Sequence, residues 1–256
     1  MISTTLLIYL FTFILGAVIG SFLNVCIYRI PVQQSIISPS SHCPRCNVPV
    51  KFYDNIPMLS FLLLQGKCRS CGNPISVQYI LVEILNAAGY ALILWRFGLS
   101  VESTIYAALF SSLLVASVID LHHRIIPDVI TIPGTIAGLL ANAFILPGGI
   151  KGSVIGTLLG GGIFFIAAVA SRGGMGGGDI KLIAMLGAFL GWINVVITII
   201  LSSFIGSVVG ILMMIFLGKG RKYPIPFGPF LAIGGIISLF FHDEIVAWYL
   251  GMNLWY

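Results

Sequence analysis

The sequence predicts an all-α polytopic membrane protein with about eight transmembrane helices and a small cytoplasmic zinc-knuckle loop domain. Three observations predict this fold. The mean hydropathy is +1.07, and only 8% of the residues are charged, against roughly 25% in an average soluble domain. Apolar runs long enough to span a bilayer recur along the chain. Lysine and arginine gather on one side of the resulting topology, as they do in cytoplasmic loops.

Each predicted span corresponds to one apolar run. The runs lie near residues 5–28, 76–95, 103–120, 129–147, 153–170, 180–192, 195–217 and 227–241. The sixth run is short and can be a half-helix fused to the seventh around Gly191, so seven spans are an alternative. The tail 245–256 is too short to span and is predicted to lie at the membrane interface. Its aromatic residues are Trp248, Tyr249, Trp255 and Tyr256.

The basic residues orient these spans. With the N-terminus outside, those on the cytoplasmic side are Arg29, Arg45, Lys51, Lys67, Arg69, Arg124, Arg172, Lys181, Lys219, Arg221 and Lys222. Only Arg96 and Lys151 fall outside, out of 13 basic residues in all. Because short cytoplasmic loops collect positive charge, both termini are predicted outside. The net charge of +5 is explained by topology, so we infer no nucleic-acid partner from it.

Residues 29–75 form the long polar stretch of the chain and contain two Cys-x-x-Cys pairs. Such pairs are typical of a structural zinc site, because each two-residue spacer lets one turn present two sulfurs to one ion. Disulfides are an alternative that the reducing cytoplasm disfavours, and a redox role is another. We therefore predict one structural Zn²⁺ ion. Its ligands are Cys43, Cys46, Cys68 and Cys71.

Two carboxylates beside apolar runs are the candidate catalytic residues. Asp120 ends the third run and Asp179 begins the sixth, so the predicted topology places both at the cytoplasmic boundary. Ionisable groups in membrane segments are costly and usually functional, and two close carboxylates can share a proton for acid–base chemistry on a peptide bond. Taken alone, Asp179 also fits a helix N-cap. Asp128, after Pro127, is predicted to be an N-cap or turn residue.

Three neighbouring features carry weaker predictions. Glycines 173, 174 and 176–178 let an extended peptide approach the loop closely, but no Gly-Lys-Ser/Thr follows, which excludes a nucleotide-binding P-loop. Lys181 is either a topology anchor, a residue that tunes Asp179, or a contact for an acidic substrate group. Glu83, in the second span, is a candidate for pairing with a cytoplasmic-side cation or a ligand amine.

Five ordered motifs give the chain a family resemblance. They are Gly20–Pro31 (GSFLNVCIYRIP), Tyr53–Phe61 (YDNIPMLSF), Gly66–Cys71 (GKCRSC) with Pro74–Ser76 and Leu81–Glu83, Ile119–Asp128, and Gly174–Leu182 (GMGGGDIKL). Together they resemble the type IV prepilin peptidases, which are bifunctional leader peptidases and N-methyltransferases of pilus and type II secretion systems. The match runs along nearly the whole chain.

The resemblance implies a membrane aspartic peptidase of the Gly-x-Gly-Asp kind. Its substrates would be prepilins and pilin-like pseudopilins, cut after a glycine at the cytoplasmic edge of their hydrophobic helix. Carried over by motif, Asp120 and Asp179 would be the catalytic pair. Gly176 and Gly178 would shape the loop around Asp179 in the family's motif.

The resemblance also implies N-methylation of the new N-terminal residue with S-adenosylmethionine as methyl donor. The cysteine loop is the region tied to that step, and Gly66 and Glu83 are the residues implied for cofactor binding. The expected domains are a first helix over 1–28, a four-cysteine metal-binding loop over 29–75 and a peptidase core over 76–256. The expected location is the bacterial inner membrane, with the cysteine loop and active site toward the cytoplasm.

Other functions fit parts of the same pattern. A general intramembrane aspartyl protease without methyltransferase activity would use the two aspartates, but it has no evident need of the cysteine loop. A proton-coupled transporter would use them to relay protons, although carrier sites favour the membrane midplane. A zinc-bearing assembly factor would need the aspartates only as helix caps.

Overall fold

The computed structural model of the protein describes residues 4–171, 174–218, 220 and 224–251. Over these residues the regular structure is helical, with one 3₁₀ turn at Phe52–Asn55 and two isolated β-bridges. The helices are α1 (Thr4–Arg29), α2 (Leu59–Leu63), α3 (Val77–Phe97), α4 (Val101–His123), α5 (Asp128–Phe144), α6 (Gly149–Ala170), α7 (Gly177–Leu217), α8 (Gly228–Phe240) and α9 (His242–Leu250). The all-α prediction is confirmed.

The helices α1, α3, α4, α6 and α7 are long and apolar enough to cross a membrane. Helices α8 and α9 are long and apolar enough only when taken together, and the pair is bent by 78°. Helix α5 is apolar but has only 17 residues, fewer than a typical membrane span. Among the described residues this makes five candidate spans, or six with the bent pair. A polytopic membrane protein is confirmed, whereas the count of eight is not.

Helix α7 joins the sixth and seventh predicted runs into one 41-residue element that is broken at Gly191. This residue has φ 79° and ψ 177°, a left-handed φ that glycine adopts without steric cost. A Cβ on Gly156 of α6 would lie 2.7 Å from the Gly191 carbonyl carbon. The break therefore lies where α6 and α7 approach backbone to backbone, as small residues permit.

The chain divides into two compact units, residues 1–115 and 116–256, with the division falling inside α4. In the first unit, α1 packs against α3 through glycines. A Cβ on Gly16 or Gly20 would lie 2.8 Å from the Cα of Ala87 or Glu83, respectively. Asn86 crosses the same interface and donates a hydrogen bond of 2.8 Å to the Gly16 carbonyl.

In the second unit, the first half of α7 lies among α5, α6 and α8. Its side chains Leu182, Ile183, Met185 and Leu186 are completely buried. Asn142 of α5 donates hydrogen bonds of 2.8 and 2.9 Å to carbonyl groups of α7. Hydrogen bonds between helices help membrane helices to associate, because no hydrophobic driving force acts between them in lipid. This packing positions the first half of α7, and Asp179 lies at its start.

Part of the predicted topology concerns residues outside the described ranges. These residues are Arg172, Gly173, Lys219, Arg221, Lys222, Trp255 and Tyr256. The division into domains 1–28, 29–75 and 76–256 also stays a prediction, as does the assignment of each loop to one side of the membrane.

Candidate active site and metal centre

Asp120 lies in the last turn of α4 and is only 5% exposed. Its Oδ2 atom accepts a hydrogen bond of 2.9 Å from the backbone N–H of Gly228, the first residue of α8. The first N–H groups of a helix have no partner within the helix and favour a negative group. The N-terminus of α8 thus orients the buried carboxylate of Asp120.

Asp179 is the third residue of α7 and is half-buried. The N-cap residue is Gly176, so the alternative prediction that Asp179 itself is the N-cap is wrong. The Asp179 carboxylate turns back toward Gly176, where a Cβ would lie 3.1 Å from its Oδ2 atom. This is the position of the returning side chain in a capping box, and it makes the glycine loop the immediate support of the carboxylate.

The structure brings the two aspartates close enough to interact electrostatically. Ile126, between α4 and α5, is buried beside Gly178, next to Asp179, and beside Gly228, which bonds Asp120. A Cβ on Gly178 would lie 2.8 Å from the Ile126 Cβ, and one on Gly228 would lie 3.1 Å from its Cδ1. Because neither glycine has a side chain, the loop before α7 and the start of α8 can both approach Ile126 closely.

Sequence reasoning missed Gly228 and Ile126. The sequence around Phe227-Gly228-Pro229 does carry a helix-start signal, a proline at the first helical positions. That signal marks where α8 begins, but it does not say which side chain the free N–H groups will meet.

Asp128 and Lys181 form an ion pair at the edge of this site. The Lys181 Nζ atom lies 2.7 Å from both carboxylate oxygens of Asp128, and the side chains are 45% and 56% exposed. The N-cap of α5 is Pro127, so Asp128 is its first helical residue and the N-cap prediction is wrong. The pair joins the start of α5 to the first turn of α7, two residues beyond Asp179.

The four cysteines form a cluster in which all sulfur atoms lie within 4.8 Å of one another. The Cys43 and Cys71 sulfurs are 3.9 Å apart, close to the roughly 3.8 Å that two sulfurs share when each is about 2.3 Å from a tetrahedral zinc ion. Thiols at this spacing in the reduced state fit a structural zinc ion, with Cys43, Cys46, Cys68 and Cys71 as its ligands.

Two turns of the same geometry present these sulfurs. In the first, the residue after the second cysteine is Asn47, with φ 56°, and its N–H donates to the Cys43 carbonyl at 2.8 Å. In the second it is Gly72, with φ 67°, and its N–H donates to the Cys68 carbonyl at 2.9 Å. A left-handed residue at this point reverses the chain after each pair, so the sulfurs of both pairs face the centre of the cluster.

Hydrogen bonds prepare two of the four thiols for deprotonation. The backbone N–H and then the side-chain amide of Asn73, whose Nδ2 lies 3.3 Å from the sulfur, lower the pKa of Cys71 to about 6. Backbone hydrogen bonds from Cys46 and Arg45 lower the pKa of Cys43. The pKa of Cys46 is instead raised to about 11, because a backbone hydrogen bond that lowers it is outweighed by desolvation and by hydrogen bonds to the neighbouring cysteines, which oppose its ionisation. Since the thiolate is the form that binds metal, Cys43 and Cys71 are the members of the cluster whose surroundings favour zinc binding near neutral pH.

Arg69 ties the second cysteine turn to the Phe52–Asn55 segment. Its guanidinium bonds both carboxylate oxygens of Asp54 at 2.7 to 3.0 Å and lies 5.5 Å from the centre of the Tyr53 ring. Hydrogen bonding by Arg69 lowers the pKa of Asp54. The pair therefore stays ionised at neutral pH and positions the turn.

Gly66 and Glu83, the predicted cofactor-binding residues, lie at opposite ends of the α2 segment. Gly66 follows α2 with φ 67°, and a Cβ there would lie 3.1 Å from the Phe61 ring. Glu83 is 7% exposed, and its Oε2 atom accepts a hydrogen bond of 2.7 Å from the N–H of Met58, just before α2. The segment that begins at Met58, which bonds Glu83, and ends at Gly66 therefore links Glu83 to the second cysteine turn.

In its fold and its two interacting carboxylates, the protein resembles the class of polytopic membrane aspartic peptidases, which use paired acids. Comparison with known families agrees with this class. Residues 14–97 match the bacterial peptidase A24 N-terminal domain, and residues 107–211 match the type IV leader peptidase family. The chain belongs to the type IV leader peptidase family.

Curated relatives match along most of the chain, and each bears the name prepilin leader peptidase/N-methyltransferase. A protein of Pseudomonas aeruginosa is 37% identical over 276 residues, covering 97% of this chain and 95% of the relative. Relatives of Legionella pneumophila and Myxococcus xanthus are 34% and 42% identical, covering 95% and 84% of this chain and 94% and 65% of their own lengths. No solved structure gives a significant match. The apolar helices and the family together indicate a multi-pass protein of the bacterial inner membrane.

Proposed function

We propose that this protein removes the leader peptide of type IV prepilins and pseudopilins and then N-methylates the new N-terminal residue. Cleavage occurs after a glycine at the cytoplasmic membrane boundary. The observation that carries the proposal is the interacting pair Asp120 and Asp179, one oriented by the N-terminus of α8 and the other by the glycine loop. The names of the relatives point to the same substrates.

The pair performs the cleavage by holding one proton between two carboxyl groups. The ionised aspartate takes a proton from a water molecule, which attacks the carbonyl carbon of the scissile peptide bond. The protonated aspartate donates its proton to the carbonyl oxygen. The roles then reverse as the tetrahedral intermediate collapses and the leaving amine is protonated. Gly176 lies against the Asp179 carboxylate and Gly178 against Ile126, so the two glycines let the loop pack closely around Asp179.

The second reaction belongs to the cysteine loop. The four cysteines hold one structural zinc ion that organises residues 43–73, because this segment has little apolar core of its own. Gly66 and Glu83 would help to hold S-adenosylmethionine, which would supply the methyl group. The cysteine loop and the aspartate pair face the cytoplasm. Neither reaction requires a nucleotide or a nucleic acid.

Mass spectrometry of a type IV prepilin incubated with the purified protein in detergent tests both activities, with and without S-adenosylmethionine. We expect loss of the leader in both cases and one added methyl group on the new N-terminus when the methyl donor is present. Cleavage without methylation would favour a general intramembrane peptidase. No cleavage by a folded protein would refute the proposal.

Substitution separates the two reactions. Asp120→Asn or Asp179→Asn should abolish cleavage, because each removes half of the shared proton site, while a pre-cut substrate should still be methylated. Glu102→Gln, in the first turn of α4, is the matched control for neutralising an acid on the same helix. Substantial cleavage by either asparagine variant would refute the assignment of the pair.

A further inference from the structure

Glu83 is a buried carboxylate that the peptidase chemistry does not use. It lies at the interface of α1 and α3, where a Cβ on Gly20 would be 2.8 Å from its Cα. Its Oε2 atom accepts a hydrogen bond of 2.7 Å from the Met58 N–H, and the Ser21 side chain lies near the carboxylate. Among the residues that the structure describes, no cation contacts it. A buried charge without a counter-charge is costly, so an ionised Glu83 requires a cation from outside the chain.

The backbone is strained at Met58, the residue whose N–H bonds Glu83. Met58 has φ 58° and ψ −46°, and the Leu59 N–H bonds to the Pro57 carbonyl across it. This is a γ-turn with positive φ, a rare conformation for a residue with a side chain. Such strain costs about 1–3 kcal/mol and persists where the surrounding structure enforces it, often at binding sites. Here it directs a backbone N–H onto Oε2 of Glu83, and since a carboxylate can accept about four hydrogen bonds, capacity remains for another donor.

Asn24 adds a second acceptor that lacks a donor. Its side chain is 3% exposed, and its Nδ2 atom donates to the Tyr79 carbonyl at 3.0 Å, while its Oδ1 atom is buried without a partner. Tyr79 precedes Glu83 by one helical turn, and Asn24 follows Gly20 by one turn. Asn24 and Glu83 are therefore neighbours along one interface, one turn apart, and both have unused acceptor capacity.

We propose that Glu83 and Asn24 bind an ammonium group. An ammonium carries one positive charge and three N–H donors on a single atom, which suits the remaining acceptor capacity of the Glu83 carboxylate and the unpartnered amide oxygen of Asn24. A guanidinium favours two parallel bonds to both carboxylate oxygens, and Met58 already occupies one of them. Divalent cations need more oxygen ligands than this site offers.

The inference rests on the proposed methyl transfer, since both reactants of that step carry an ammonium. One is the new N-terminus of the cut substrate, and the other is the amino-acid part of the methyl donor. The shared chemistry is an α-ammonium group. The experiment distinguishes the two sources.

Binding to the full-length protein in detergent is measured for two ligand pairs. The first pair is a peptide with the sequence after the cleavage site, with a free or an acetylated N-terminus. The second pair is S-adenosylhomocysteine and its analogue with a hydroxyl in place of the amino group. We expect a preference of about tenfold or more for the ammonium form in one pair, the gain typical of a hydrogen bond to a charged group. That pair identifies the source.

Glu83→Gln keeps the size of the side chain and an acceptor for Met58, and it should remove this preference. Asn24→Ala should reduce it, and Glu102→Gln should leave it unchanged. Equal affinity within both pairs for the wild-type protein would overturn the inference, and so would a preference that survives in a folded Glu83→Gln variant. If the wild-type protein methylates but binds none of the four ligands, the inference also fails. If it does not methylate a cut substrate at all, the proposed function fails instead.

Discussion

Gly228→Ala should abolish most of the cleavage activity while leaving the protein folded. A Cβ at this position would lie 2.8 Å from the Asp120 Oδ2 atom and 3.1 Å from the Ile126 Cδ1. The first distance is about 0.6 Å short of ordinary contact, so the Asp120 carboxylate must move. The backbone of Gly228 is not left-handed, so alanine introduces no strain of its own.

The expected magnitude follows from the bond that is lost. Displacement of the carboxylate weakens its hydrogen bond of 2.9 Å from the Gly228 N–H, and hydrogen bonds to charged groups contribute about 1.5–3 kcal/mol. We expect kcat to fall by about 10- to 150-fold. The free energy of unfolding should change by less than about 1 kcal/mol, because alanine favours a helix and the atoms it meets are the ends of side chains.

The assay is the initial rate of leader removal by the purified variant, with thermal unfolding measured in the same detergent. Gly162→Ala is the control, because a Cβ there meets nothing within 4 Å and the residue also lies within a helix of the second unit. Wild-type kcat for Gly228→Ala would refute the argument that the N-terminus of α8 orients Asp120. Loss of activity together with unfolding would show that the residue serves packing.

Three further results are expected. Cys43→Ser or Cys71→Ser should release zinc and weaken methylation more than cleavage, whereas equal loss of both in a folded variant would mean that one site serves both reactions. After chelation, iodoacetamide should label Cys71 at pH 7 and more slowly below pH 6, because its pKa of about 6 makes it mostly thiolate only above that value; mass spectrometry showing a constant rate down to pH 5 would contradict this. Asp128→Asn should lower cleavage about two- to fivefold, since exposed pairs contribute up to about 1 kcal/mol, and the reversed pair Asp128→Lys with Lys181→Asp should recover part of the rate; an unchanged rate for the single variant would exclude a positioning role.

Local patterns in the sequence predicted the features that depend on neighbouring residues. Length and apolarity determine which segments become membrane helices, and the left-handed glycine at Gly191 produced the break that the short sixth run suggested. The Cys-x-x-Cys spacing predicted the sulfur cluster, because two residues suffice for one turn. The number of spans was not determined this way, since α5 is short and α8 is bent against α9.

Local sequence patterns did not predict which group a side chain contacts in the folded protein. Asp128 and Asp179 were each predicted as possible N-caps from their position after proline or glycine. In the structure the caps are Pro127 and Gly176. Asp128 pairs with Lys181 of another helix, and Asp179 lies close enough to Asp120 to interact with it electrostatically. An acid within two or three residues of a helix start satisfies the same sequence preference, so composition alone cannot assign the position.

Composition, apolar runs and motif spacing were enough to predict a helical membrane protein with a four-cysteine cluster, a pair of candidate acids and the motifs of its family. Three contacts became visible only in the folded protein: the Gly228 N–H bonds Asp120, Lys181 pairs with Asp128, and the Met58 N–H bonds Glu83. Helix formation and turn geometry depend on residues a few positions apart. These contacts instead depend on which helix ends are brought together, and that is set by packing over the whole of each unit.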